Sequence, residues 1–148
     1  MTFKLKSLLP KRFRSEGPVI PVVRLQGTIA AGNSPMAQRL SLATTAAMIE
    51  RAFSDKRAPA VAFAVNSPGG SPVQSRLIYK RIRDLAAEKN KQVYMFTEDV
   101  AASGGYMIAI AGDEIIADPS SIVGSIGVIS AGFGFVEAIG KIGVERRV

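Results

Sequence analysis

Uninterrupted apolar runs alternate along the chain with segments whose apolar residues recur every three or four positions. Runs 19–25, 61–65 and 93–97 are short and rich in β-branched or aromatic residues, as in strands buried within a parallel sheet. Segments 42–53 and 73–85 have helical spacing instead. Because strands and helices alternate, the pattern predicts an α/β fold with a mostly parallel sheet and crossover helices.

The second half of the chain continues this alternation. A helix is expected from Gly104 to Ala111, followed by strands over 114–117 and 122–129 and a short helix over 133–142. The uncharged stretch 119–136 approaches the length of a membrane span but contains four glycines and four serines. We therefore expect it to form buried strand and turn, or a subunit interface, rather than a span.

Capping residues mark the starts of the first two helices. Ser41 is placed to cap the first, and Ser71 to cap the second, where Pro72 suits the first helical position. Gln74 completes the spacing of a capping box with Ser71. The apolar face of the second helix is predicted to consist of five residues, Val73, Leu77, Ile78, Ile82 and Leu85.

Two unusual loops follow the carboxyl ends of consecutive predicted strands. The first, NSPGGSP, spans 66–72, and the second, EDVAASGG, spans 98–105. A right-handed crossover places such loops side by side, at the sheet edge where ligands bind. Gly69 and Gly70 leave backbone N–H groups uncovered, which suits an oxyanion hole, a tight turn or a phosphate nest. No Lys-Ser or Lys-Thr pair follows these glycines, so the loop is not a P-loop.

Ser103 lies between small residues and a glycine pair that opens an apolar helix. Such a position presents a nucleophile next to the free N–H groups of a helix N-terminus. The alternative interpretation is a Ser/Gly turn that only starts a buried helix.

The two loops, together with DEIIADPSSIVGSIGV at 113–128, resemble the signal peptide peptidase A family of serine peptidases (family S49). That family falls within the larger ClpP/crotonase-like superfamily, and the resemblance covers 18–148. It implies a ClpP/crotonase-like spiral of β-β-α units. It also implies that Ser103 is the nucleophile, and that an extended peptide runs over Val100 and Ala101. The oxyanion hole would be formed by the Gly69 and Gly70 loop together with the N–H of Gly104.

The composition restricts the general base. The chain has no histidine and no cysteine, so a Ser-His-Asp triad and a cysteine nucleophile are both excluded. The resemblance implies a Ser/Lys dyad instead, whose lysine has a pKa lowered by burial. We expect that lysine beyond Val148, with Lys141 as a weak candidate within the chain. If the 148 residues are complete, they are expected to be a poor peptidase.

Charge is concentrated at the N-terminus. The net charge is +7, and five basic residues but no acidic ones occur in the first fourteen positions. We predict a basic amphipathic tail over 1–17 before a peptidase domain over 18–148. The tail is either a solvated terminus or a contact with anionic membrane. Nucleic acid is not an expected partner, because no second basic patch with aromatic residues follows.

The tail contains no continuous apolar region of a signal peptide, so a cytoplasmic location is expected, with possible peripheral attachment to the inner face of the membrane. The predicted function is a serine endopeptidase that cleaves extended apolar peptides, including segments derived from membrane proteins. No cofactor and no metal is expected, and a homo-oligomer is plausible for the family. The alternatives are a crotonase-type acyl-CoA enzyme and a non-catalytic, membrane-associated assembly module.

Overall fold

Seven strands and four helices form within the residues that the computed structural model describes, 17–32 and 39–145. The strands are β1 (Val22–Gln26), β2 (Thr28–Ile29), β3 (Arg39–Leu40), β4 (Ala60–Ser67), β5 (Gln92–Ala102), β6 (Glu114–Ala117) and β7 (Ile122–Gly124). The helices are α1 (Leu42–Ser54), α2 (Pro72–Lys89), α3 (Gly104–Ala109) and α4 (Val136–Lys141). Apart from Gly17, the predicted basic tail lies outside the described residues.

Every strand pair in the described residues is parallel. The main sheet has the order β1-β4-β5-β6, and β7 pairs with β5 beyond the end of β6. A separate parallel pair, β2 with β3, lies between β1 and α1 along the chain. The predicted α/β class with a mostly parallel sheet is confirmed.

The core lies between the sheet and the first three helices. Strand β4 is almost entirely buried, which explains why its sequence is apolar without alternation. Phe63 of β4 and Phe53 of α1 pack with ring centroids 6.3 Å apart. The other fully buried large side chains of this cluster include Leu25, Ile49, Val61, Val65, Ile78, Ile82, Val93, Met95 and Ile108.

Both predicted helix caps are present, but Gln74 acts differently from the prediction. Ser71 Oγ accepts a hydrogen bond from the Gln74 N–H at 3.4 Å. The Gln74 side chain does not return to Ser71; its Oε1 instead accepts from the Leu42 N–H at 3.0 Å and so caps α1. This contact ties together the starts of two helices that are far apart in sequence.

The predicted apolar face of α2 is partly wrong. Val73 and Leu77 are exposed, with 65% and 38% of their surface accessible, whereas Ser75 and Ala86 are buried. Small residues face inward here because α2 packs closely against α3: a Cβ built on Gly104 would collide with Ser75 Oγ.

Strand β5 is longer than predicted and contains an irregularity. Val65 pairs with Thr97 and Ser67 with Ala101, so β4 advances by two residues while β5 advances by four. Strand β6 pairs with β5 before this bulge, and β7 pairs with it afterwards. The bulge therefore lets β5 reach the loop that follows β4.

The stretch 119–136 was expected to be buried strand and turn or a subunit interface; its burial within this chain is contradicted, and the interface stays a prediction. All the large apolar residues of this stretch are exposed: Ile122, Val123, Ile126, Val128, Ile129, Phe133, Phe135 and Val136. Strand β7 ends at Gly124 because the backbone has positive φ angles at Gly124, Ser125 and Gly127, which do not fit the extended backbone of a β-ladder. Within 17–32 and 39–145, no helix combines the length and the apolarity needed to cross a membrane.

Candidate active site

Ser103 occupies the sharp turn between β5 and α3. Its φ and ψ are 52° and −116°, a region that non-glycine residues rarely adopt, at a cost of about 1 to 3 kcal/mol. A strained strand-to-helix turn projects the serine side chain out of the backbone in other serine hydrolases. The residue is half-buried, and its hydroxyl makes no hydrogen bond to the residues that the structure describes.

Backbone bonds hold this turn in place. The Ser103 N–H donates to the carbonyl of Gly124 at 2.7 Å, which joins the turn to the end of β7. The Ser103 carbonyl accepts from the Met107 N–H at 3.0 Å, within the first turn of α3. Because the Ser103 N–H is already paired, it is not available to a ligand.

Gly69 packs directly against the Ser103 turn. A Cβ built on Gly69 would lie 2.7 Å from the Ala102 carbonyl oxygen and 2.8 Å from both Gly104 N and Ser103 Cβ. No side chain larger than hydrogen fits there without movement of backbone. The predicted juxtaposition of the two loops is therefore confirmed.

Gly70 carries an N–H that has no acceptor among the described residues. Ile29 brackets this glycine: its N–H donates to the Gly69 carbonyl at 2.8 Å, and its carbonyl accepts from the Ser71 N–H at 2.7 Å. Ile29 and Gly70 thus form a parallel bridge, in which the N–H and the carbonyl of Gly70 itself point away from Ile29. A Cβ built on Gly104 would lie 3.3 Å from Gly70 N, so this free N–H lies beside Gly104.

Two unpaired donors therefore accompany Ser103. The N–H of Gly104, in the first position of α3, also meets no acceptor within the described part of the chain. The N–H of Gly69, by contrast, donates to Ser67 Oγ at 3.2 Å. Gly70 and Gly104 are thus the two members of the predicted oxyanion set whose N–H groups are free.

Val100 and Ala101 differ in exposure. Val100 is half-buried and pairs with Ile122 of β7. Ala101 is fully buried in the ladder between Ser67 and Val123. Only the side chain of Val100 is therefore accessible from outside.

Charged and polar pairs lie at the same end of the sheet. Asn66 Nδ2 donates to Asp99 Oδ2 at 2.7 Å and links the carboxyl-terminal parts of β4 and β5. Arg24 forms an ion pair with Glu98 at 2.9 Å. Both acidic side chains of the β5 bulge thus have partners, a feature that sequence reasoning missed because it depends on pairing across strands.

No lysine among the described residues hydrogen-bonds to Ser103. Lys141 is exposed in the last turn of α4. Lys80 and Lys89 pair with carboxylates on α2, at 2.5 and 2.7 Å. Lys91 donates to two backbone carbonyls at the end of α1, those of Phe53 and Asp55. The expected lysine beyond Val148 lies outside the described residues.

Comparison with known proteins identifies peptidase relatives. Residues 86–148 match peptidase family S49. Protease 4 of Haemophilus influenzae is 39% identical over 126 residues, which cover 85% of this chain and 20% of that protein. The chloroplastic serine protease SPPA of Arabidopsis thaliana is 34% identical over 130 residues, covering 86% of this chain and 19% of that protein.

A relative with higher identity has a different name. A protein of Brucella melitensis named Na(+)/H(+) antiporter NhaA is 69% identical over 144 residues, covering 97% of this chain and 20% of that protein. The chain thus spans about one fifth of the length of these curated relatives. The matches to the Brucella protein and to Protease 4 overlap over most of this chain.

Among solved structures, a membrane-bound stomatin-specific protease has a similar fold. Its TM-score is 0.53 at 19% identity, covering 71% of this chain and 46% of that chain. This likeness supports the fold assignment.

Proposed function

We propose that this chain, whose residues 86–148 match peptidase family S49, supplies the nucleophile and the oxyanion hole of a serine peptidase. Ser103 is the nucleophile, and the N–H groups of Gly70 and Gly104 bind the developing oxyanion. The observation that supports this assignment best is the convergence of a strained serine turn with two unpaired N–H donors.

In the proposed reaction, Ser103 Oγ attacks the carbonyl carbon of a peptide bond while its proton passes to a general base. The carbonyl oxygen becomes an oxyanion that accepts from Gly70 and Gly104. As this tetrahedral intermediate collapses, the C–N bond breaks and the base returns the proton to the departing amine. Water then hydrolyses the acyl-enzyme by the same steps. By resemblance, the base is the neutral amine of a lysine located after Val148.

The proposed substrate is an extended, apolar peptide. Val100 is partly accessible beside the serine turn, and the adjoining β7 exposes Ile122 and Val123. These side chains favour an apolar partner over a charged one. The exposed apolar residues of 122–136 also make a homo-oligomer contact plausible, and peripheral membrane attachment through the basic tail remains a prediction.

Fluorophosphonate labelling and cleavage of an apolar peptide test the proposal. A chain extended past Val148 is expected to be labelled and to cleave the peptide, and Ser103→Ala should abolish both. Ser54→Ala is the matched control, because it removes an exposed serine hydroxyl that only bonds to Glu50 within α1. Equal labelling of the 148-residue chain and the extended chain would refute the idea that the base follows Val148.

A second candidate function is suggested by the Brucella relatives. Their name and their 69% identity favour a role as a domain attached to a membrane transporter. Such a role does not need the Ser103 hydroxyl. Ser103→Ala would then leave Na(+)/H(+) exchange by the longer protein unchanged, and neither wild type nor variant would cleave peptide.

A further inference from the structure

We propose that Ser67 is a positioning residue for the oxyanion hole. This role rests on the proposed peptidase function. Ser67 ends β4, is fully buried, and is separate from the nucleophile and from both proposed donors. Its hydroxyl fixes the loop so that Gly70 presents its N–H to the site.

The Ser67 hydroxyl makes two hydrogen bonds in opposite directions. It donates to the Gly27 carbonyl at 2.7 Å and accepts from the Gly69 N–H at 3.2 Å. The first bond attaches the loop to the end of β1, and the second turns the Gly69 N–H inward. One side chain therefore links β1 to the loop of the proposed site.

Apart from Gly70, the residues of 68–72 either lack an N–H or already have it paired. Pro68 and Pro72 have no N–H, the Ser71 N–H donates to Ile29, and the Gly69 N–H donates to Ser67. Gly70 is left as the one residue of 68–72 whose N–H has no acceptor in the part of the chain that the structure describes. The Ser67 hydroxyl thus satisfies the donor that would otherwise compete with Gly70.

The loop has the freedom to adopt another arrangement if this bond is lost. Gly69 and Gly70 have φ angles of 99° and 140°, and glycine crosses between such regions without a steric penalty from Cβ. Rotation of the peptide unit between them would turn the Gly70 N–H toward Ile29 and away from the space beside Gly104. The bonds to Ser67 and Ile29 oppose that rotation.

Ser67 also lies under the serine turn. It pairs with Ala101 of β5, two residues before Ser103. A Cβ built on Gly105 would collide with the Ser67 carbonyl oxygen and lie 3.2 Å from Ser67 Cβ. The same residue thus contacts the loop that carries one donor and the helix that carries the other.

The test compares Ser67→Ala with wild type in two measurements. In the 148-residue chain, hydrogen exchange measured by NMR should show a protected Gly69 amide that loses its protection in the variant. In the chain extended past Val148, the rate of phosphonate labelling at Ser103 should fall about 10- to 100-fold, and kcat for peptide cleavage should fall with it while KM changes little. Ser67→Cys, which keeps a weak donor and acceptor of similar size, should give an intermediate rate.

Thr45→Val is the matched control. It removes another buried hydroxyl, whose bond to the Ser41 carbonyl at 2.8 Å lies within α1. Its labelling rate and kcat should equal those of wild type, even if both variants lower the midpoint of denaturation.

The outcomes separate this role from the proposed function. If wild type is labelled at Ser103 and Ser67→Ala is labelled equally fast, the positioning role is wrong while the peptidase assignment stands. If the extended wild type takes no phosphonate at Ser103, the peptidase assignment fails and this role fails with it. An equal fall in Ser67→Ala and Thr45→Val would show a general effect of stability and would also overturn the role.

Discussion

Replacement of Gly69 by alanine tests the contact between the two loops of the candidate site. The new methyl would lie 2.7 Å from the Ala102 carbonyl oxygen and 2.8 Å from Gly104 N and Ser103 Cβ. To reach an ordinary contact of 3.4 Å, the loops must separate by roughly 0.7 Å, because backbone atoms do not rotate away.

The expected cost has two parts. A non-glycine residue at the φ of 99° costs about 1 to 2 kcal/mol, and overpacking adds about 1 to 3 kcal/mol. Gly69→Ala should therefore destabilise the chain by about 2 to 5 kcal/mol. A displacement approaching 1 Å also lowers the rate of a positioned reaction by about 100-fold, so Ser103 labelling should fall by a similar factor.

Urea denaturation of Gly69→Ala and Gly32→Ala separates the two parts. Gly32 also has a positive φ, 86°, but a Cβ there would meet no atom of the described residues within 4 Å. Gly32→Ala should therefore show the backbone cost alone and leave labelling unchanged. If both variants lose the same stability, or if Gly69→Ala is labelled as fast as wild type, the close contact between the loops is wrong.

Three further changes test individual groups by urea denaturation. Thr97→Val removes a buried hydroxyl that has no partner among the described residues, so stability should be unchanged or rise by about 1 kcal/mol; a clear loss would show a missed bond. Ser103→Gly relieves the positive φ and should stabilise by about 1 kcal/mol while abolishing labelling; a loss of stability would contradict the strained turn. Burial raises the pKa of Asp113, but hydrogen bonds from the Val93 N–H and the Arg83 guanidinium outweigh it, and the pKa lies below its ordinary value of 3.8. A carboxyl group whose pKa is lower in the folded than in the unfolded chain stabilises the fold at pH values above the unfolded pKa, and this contribution is lost as the pH falls through the folded pKa. The urea midpoint should therefore drop below pH 3.8, and it should drop less in Asp113→Asn. Equal drops in the two proteins would refute the assignment.

Local patterns in the sequence predicted the parts of the fold that depend on local chemistry. The apolar run 61–65 became the buried strand β4, and Ser41 and Ser71 cap helices as predicted. Such features were accessible because strand burial and helix caps are determined by a few neighbouring residues. The parallel order and the meeting of the two loops followed from topology rules alone.

Features that depend on distant residues were missed. Gln74 satisfied a local capping pattern, yet its side chain caps the helix that starts at Leu42. Ser67 lies within the NSPGG motif, but the sequence does not indicate its hydrogen bonds to Gly27 and Gly69, because these depend on the pairing of β1 with β4. The β5 bulge likewise has no signal in the run of residues that forms it.

The predicted burial of 119–136 within this chain is wrong for a different reason. The apolar composition of this stretch indicates burial, but composition alone does not show whether a segment packs against its own chain or stays exposed on the surface. Positive φ angles at Gly124, Ser125 and Gly127 end the strand early and leave the following apolar residues outside the ladder. Glycine content was the available signal, and it pointed to turns more than to strand.

The attachment site of a fluorophosphonate, located by peptide mass mapping, tests the central claim most directly. In a chain extended past Val148, we expect a single adduct on the peptide that contains Ser103, and no adduct in Ser103→Ala. An adduct on any other serine, or an extended and folded chain that takes none, would contradict Ser103 as the nucleophile.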